Sequence, residues 1–209
     1  MAGGRPSRAD GWTRQNRRVQ LLELTVRGWL DELGNRGPAP GGGAAAAIAA
    51  AMAAALVAMA ARLSADWPDG RGVVAQASSL RRRLAELAQS DADVYRETLR
   101  ILEHRAEIPA ERRDHELGQA LARAAQTPLT IAEAAADVAL LAAEATERAD
   151  PKLRPDADVA TALAAAAAQA AARLVEINLS AARDDARVAQ ARTAAEAAVR
   201  AMQRSFPPS

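Results

Sequence analysis

Cysteine is absent from the 209 residues, which excludes a disulfide framework, a thiolate nucleophile, an iron–sulfur cluster and Cys-ligated zinc. Histidine occurs only as His104 and His115, and two isolated imidazoles lack the clustered spacing of a His-rich metal site. Five aromatics (Trp12, Trp29, Trp67, Tyr95 and Phe206) are too few for a platform on which nucleobases stack. Lys152 is the single lysine; the other basic residues are arginines, and 27 basic against 26 acidic side chains leave a net charge of +1. That balance exerts no whole-molecule pull on nucleic acid. Runs of β-branched and aromatic residues are also missing, which argues against sheets. Alanine fills the space, at 58 positions. The composition is that of an all-α protein.

Residues 1–14 are polar and rich in Gly and Arg, with no apolar run behind the charges, so they read as a disordered lead and not as a secretory signal. With no signal and no Cys, the expected location is the cytoplasm. Residues 44–61 are apolar throughout and close to the length that spans a bilayer. Most of that run is alanine, and no Trp or Tyr belt flanks it, so it reads as the buried central helix of a bundle and no membrane partner is expected.

The pattern predicts six to seven helices in one domain, residues 15–205, followed by a tail at 206–209. The first helix covers 15–33, with an apolar stripe at Leu22, Val26, Trp29 and Leu33, and stops at Gly34-Asn35. The Ala helix runs from 44 to about 63, and Trp67-Pro68-Asp69-Gly70 is a turn. A long helix spans 73–105 until Ile108-Pro109 interrupts it, and a polar helix covers 110–125. Thr127 is the expected cap of a helix starting at Pro128 and ending near 148. After a loop at 149–155, Asp156 opens a helix reaching Leu179 or beyond, and the last helix covers 184–204. Alanines let helix axes approach closely, yet each buries little area, so self-association into a homodimer is expected.

Some residues break this pattern. On the long helix Leu80, Leu84, Leu87, Asp91, Val94, Thr98 and Ile101 recur at alternating spacings of four and three, which places a carboxylate in a core-facing seam. Burying it alone costs several kcal/mol, so Asp91 is paired with a buried Arg, protonated, or set in the wall of a pocket. Asp156 precedes Val159 and Leu163 by three and seven positions, on the apolar side of its helix, where it serves as an N-cap or a site group. Asp158 points about 200° away, so only one of these two faces the core. Asn178, one turn beyond Leu174, is a core amide or a ligand contact. Gly41-Gly42-Gly43 offers free backbone N–H groups at a helix start, without the spacing of a nucleotide fingerprint. Arg81-Arg82-Arg83 reads as a solvated face, and neither histidine receives a role.

Three stretches together resemble the cyclodeaminase/cyclohydrolase family, comprising the C-terminal half of formiminotransferase-cyclodeaminase and its free-standing bacterial relatives. Pro38-Ala39-Pro40-Gly41-Gly42-Gly43-Ala44-Ala45-Ala46-Ala47 is similar to that family's P-x-P-G-G-G-S-A-A-A opening. Asp91-Ala92-Asp93-Val94-Tyr95 is similar to its D-A-x-A-F. Asp156, followed by Ile177-Asn178-Leu179, is similar to its S-D and I-N-L on one helix. The likeness extends over residues 24–203.

The resemblance implies a dimeric helical bundle acting on tetrahydrofolate one-carbon adducts without metal or cofactor. It implies catalytic roles for Asp91 and Asp156, and substrate binding by Pro40, Gly41, Gly42, Gly43 and Asn178. The reaction implied is methenyltetrahydrofolate cyclohydrolase or formimidoyltetrahydrofolate cyclodeaminase; the free-standing chain tilts the expectation toward hydrolysis. The chain departs from the family at Ala44 and Pro155 (Ser in the family) and at Leu174 (commonly Asn). It also lacks a Lys after the Ala helix, where Arg71 is the candidate substitute. These departures leave open a member that binds folate or a partner enzyme without catalysis, and beyond that a purely structural helical protein.

Overall fold

The computed structural model describes residues 20–37, 39–180 and 185–206. Among them are seven α-helices and no strand: α1 Val26–Leu33, α2 Gly42–Leu63, α3 Gly70–Glu103, α4 Ala110–Ala124, α5 Gln126–Arg148, α6 Arg154–Asn178 and α7 Ala186–Ser205. Short 3-10 turns occupy Leu21–Glu23, Arg105–Glu107 and Pro151–Leu153. The expected lead at 1–14, the start of the first helix, Pro38 and the last three tail residues lie outside the described residues.

α2 is the centre. It packs against α3, α5 and α6, and α7 closes over α5 and α6. Twelve of its residues are buried, and all but Val57 are alanine or glycine. Across the whole core the largest fully buried side chains are few: Leu84, Ile131, Val57, Val138, Val175, Thr161 and Pro128. Both α2 and residues 151–178 are long and apolar enough to cross a membrane, with mean hydropathies of 2.2 and 1.2. The alanines nevertheless serve as helix-to-helix contacts, because small side chains are what bring three neighbours onto one axis.

The helix boundaries depart from expectation where capping chemistry wins over periodicity. The first predicted helix is broken: the Thr25 hydroxyl accepts the Gly28 N–H at 3.1 Å and starts α1 afresh. Its stripe is only partly turned inward: Trp29 packs against the core and Leu33 is half-buried. Leu22 and Val26 are exposed, while Leu21 is buried and its N–H donates to Gln89 Oε1 at 2.8 Å. Thr127 does not cap α5. The helix starts at Gln126, directly after Ala125, so Thr127 and Pro128 are buried within its first turn, where a missing proline N–H costs nothing. Asp156 does not cap α6 either, because that helix begins at Arg154 with Pro155 in its first turn. α7 begins after Asp185, whose carboxylate accepts the Arg187 N–H at 3.0 Å.

Candidate active site

The chain reaches α2 through a cis Ala39–Pro40 peptide and a buried Pro40. Gly41 is the extended residue before the helix, and Gly42 and Gly43 form its first turn. α3 runs back antiparallel to α2, starting beside its C-terminal end, where a Cβ on Gly70 would meet the Ala61 carbonyl. That direction carries Asp91 to the N-terminal end of α2. The core-facing seam is realised: Leu84, Asp91 and Thr98 are buried, with Leu80, Leu87, Val94 and Ile101 partly so.

Asp91 lies directly over Gly43. A Cβ at position 43 would collide with the Asp91 carboxyl, so glycine there permits the approach. The carboxylate accepts the backbone N–H of Ala44, one of the first-turn donors that have no partner inside the helix. Burial pushes the Asp91 pKa up from 3.8 to about 6, against the lowering effect of that N–H. No arginine pairs with it among the described residues, which removes the buried ion pair from the readings open for this residue.

Asp91 forms part of the wall of a cavity of about 180 Å3 whose lining also includes Gly41, Gly42, Gly43, Tyr95 and Asn178. Val94, Ala124, Pro128 and Leu174 complete it. Asn178 is the last residue of α6 and donates from Nδ2 to the Ala124 carbonyl at 3.1 Å, leaving its Oδ1 as an acceptor. The α4–α5 junction, the end of α6 and the start of α2 therefore meet around one carboxylate. Tyr95 stands one turn after Asp91 and is 44% exposed, offering a ring and a phenol at the rim. Sequence reasoning did not assign it a role, although its spacing of four from Asp91 puts both on one helix face.

Asp156 is not brought to this cavity within the chain. It is the third residue of α6 and Asn178 the last, a rise of about 33 Å. Asp158 is turned toward α5, accepting from Thr146 Oγ1 at 3.0 Å, and Asp156 remains half-buried at the far end of the bundle. Arg71 is exposed at that same far end, near the start of α3.

A larger open cleft of about 660 Å3 lies between the end of α3 and α4, lined in part by Arg100, His104, Arg112, His115 and Arg123. His104 Nδ1 contacts the Arg100 carbonyl at 2.8 Å, and His115 Nε2 contacts Gln119 at 2.9 Å. No group of three or more His, Asp or Glu suited to a metal ion occurs among the described residues.

The family model described as formiminotransferase-cyclodeaminase matches residues 25–197. No curated protein matches the chain. Among solved structures, the chain is similar to formiminotetrahydrofolate cyclodeaminase from Thermotoga maritima. The identity is 23%, the TM-score 0.76, and the match covers 90% of this chain and 98% of that one. At that identity the likeness shows a shared fold.

Proposed function

Because the chain belongs to the formiminotransferase-cyclodeaminase family, we propose that it is a folate one-carbon enzyme working on the N5/N10 bridge of tetrahydrofolate. The reaction is methenyltetrahydrofolate hydrolysis or formimidoyltetrahydrofolate cyclodeamination. The observation that carries this reading is Asp91, a buried carboxylate without an ion-pair partner among the described residues, poised at about pH 6 over a glycine-rich helix start. The catalytic assignment of Asp91 and the binding roles of Pro40, Gly41, Gly42, Gly43 and Asn178 belong to this proposal, as does Asp156.

Both reactions pass through a carbon flanked by two nitrogens that share positive charge. In cyclodeamination N10 attacks the amidine carbon on N5, the C–N bond to the amino group breaks, and ammonia leaves after gaining a proton. In hydrolysis water adds to the cationic 5,10-methenyl carbon, loses a proton, and the C–N5 bond opens to a 10-formyl product. A fixed carboxylate beside that carbon stabilises the cation, and a pKa near the working pH lets it give or take the proton. Tyr95 at the rim presents a ring face to a flat pterin or benzoyl group. Asn178 Oδ1 and the Gly41–Gly43 backbone supply hydrogen bonds for pterin amide edges. Ring closure joins two atoms of one substrate, so holding folate in its reactive shape itself supplies part of the rate.

A second reading, folate binding without turnover, is favoured by Ala44 and Leu174, since both departures fall at the site and remove a hydroxyl and an amide. One experiment separates the two. Purified protein is followed by absorbance with 5,10-methenyltetrahydrofolate, then with the formimidoyl adduct and ammonia detection. Turnover of either substrate supports the enzyme. Folate binding without turnover supports the second reading, and absence of both overturns the folate assignment.

A further inference from the structure

The cleft between the end of α3 and α4 takes no part in the chemistry assigned to Asp91, yet it has the makings of a second site. Its volume of about 660 Å3 lies within the roughly 300–1,000 Å3 of pockets that hold small molecules. Cations face it from both sides. Arg100 and His104, one turn apart, belong to the α3 wall. Arg112, His115, Gln119 and Arg123 recur on α4 at spacings of three, four and four, which is one stripe of that helix. Ile101 and Ile108, both half-buried, add apolar surface to the lining.

The charge of this lining is not balanced. Glu116 is its one acidic residue against three arginines, and it already accepts from Arg112 at 2.6 Å. Glu103, Glu107, Glu111 and Asp114 lie outside the lining and are exposed. Arg100 pairs with Glu97 at 3.1 Å, and Arg123 has no ion pair among the described residues. Both pairs join residues one turn apart whose arginines are more than half exposed, so they open at little cost. His104 Nδ1 donates to the Arg100 carbonyl, which leaves its Nε2 uncommitted. Like charge on two facing walls pushes them apart, and an anion set between them reverses the sign of that interaction.

α4 is the element placed to respond. Of its 15 residues only Ala120 and Ala124 are buried. Its C-terminal end is held from outside, since Arg187 Nη1 and Asn178 Nδ2 donate to the Ala122 and Ala124 carbonyls at 2.7 and 3.1 Å. At its other end the chain enters through Ile108-Pro109, where Arg113 Nη2 donates to the Ile108 carbonyl at 3.0 Å, a bond within the segment itself.

We infer that this cleft binds an organic anion carrying two or more acidic groups, and that the bound anion bridges α3 and α4 and fixes α4 in place. The class of ligand follows from the lining. Arg112 and Arg123 are eleven residues apart, about 16 Å along the helix, so a single small ion meets one end or one wall, whereas separated acidic groups reach several cations at once. Guanidinium forks accept carboxylate and phosphate alike, and the isoleucine surface suits the carbon skeleton that joins such groups. Ala124 ends α4 and also lines the Asp91 cavity, so the anion steadies one wall of that cavity from outside it. Binding in the cleft does not depend on the folate reading.

Citrate and pyrophosphate are the probes, titrated calorimetrically into the full chain with sodium chloride at equal ionic strength as the control. Saturable binding at one site per chain is expected, and the tighter of the two probes identifies the acidic group as carboxylate or phosphate. Arg112→Gln and Arg123→Gln, at exposed positions of α4, are each expected to weaken it at least about fivefold through loss of a charge-assisted contact, and Glu116→Gln to strengthen it. Amide hydrogen exchange across residues 110–124 is expected to slow on saturation, and Asp91→Asn to bind the probe as the wild type does. The inference is overturned if neither probe binds, if sodium chloride reproduces the effect, if the arginine variants bind unchanged, or if exchange in α4 does not slow. The calorimetry reads the cleft even where neither folate is turned over, so the two readings fail separately.

Discussion

At neutral pH the carboxylate of Asp91 is ionised in surroundings that favour its neutral form, and a rise in pKa from 3.8 to about 6 corresponds to about 3 kcal/mol. The sign follows from linkage. The folded state binds the proton more tightly than the unfolded one, so stability is lost as pH rises from about 4 through 6. Asp91→Asn is therefore expected to unfold at a higher temperature than the wild type at pH 7 to 8, with the difference vanishing near pH 4, while turnover falls by at least about a hundredfold. Thermal scans at several pH values check the first part, and equal stability at all of them would show that the charge is solvated. The same group separates the two reactions. As a base toward water it gives a kcat/KM that rises through about pH 6 to a plateau; as the acid for departing ammonia it gives one that declines above it. Gly43→Ala places a methyl group on the Asp91 carboxyl, so a loss of at least about tenfold in kcat is expected with the helical circular dichroism retained. Gly42→Ala meets nothing within 4 Å, so any loss it causes reports contact with the ligand itself. Asp91 was legible because one charge interrupts a seam of large apolar residues. That no arginine pairs with it among the described residues was not, since the partner of a buried charge is chosen by helices distant in sequence.

Among the elements, the Ala helix, the long helix and the breaks at Gly34, Trp67-Pro68 and Pro109 were legible from composition and turn chemistry. What escaped were starts at which two signals compete. Thr127 before Pro128 reads as a cap only if the preceding residues leave the helix, and here a single residue, Ala125, joins α4 to α5. The resemblance named Asp156 and Asn178 together as site residues on one helix; the helix between them holds them apart, and which helix ends meet is settled by topology rather than by spacing. α2 makes its own prediction. Ala50 is fully buried between close-packed axes, so Ala50→Leu is expected to cost at least about 2 kcal/mol, because the neighbouring helices must separate along their length. Chemical denaturation measures this, and a loss below about 0.5 kcal/mol would mean that the bundle has slack.

For the whole molecule, the question is how a core of alanines holds. Each contributes little burial, and few larger side chains are fully enclosed. Surface ion pairs do not compensate: Arg100–Glu97, Arg112–Glu116 and Arg200–Glu196 are solvent-exposed pairs one turn apart, worth a few tenths of a kcal/mol each and weakened by salt. Further burial is available on the α2–α6 face, where the exposed Met52, Leu63, Val159 and Ile177 would leave water on meeting a second copy. Folding and association are then linked, and the thermal midpoint is expected to rise steadily over about two decades of protein concentration. A midpoint independent of concentration would show that one chain is stable alone.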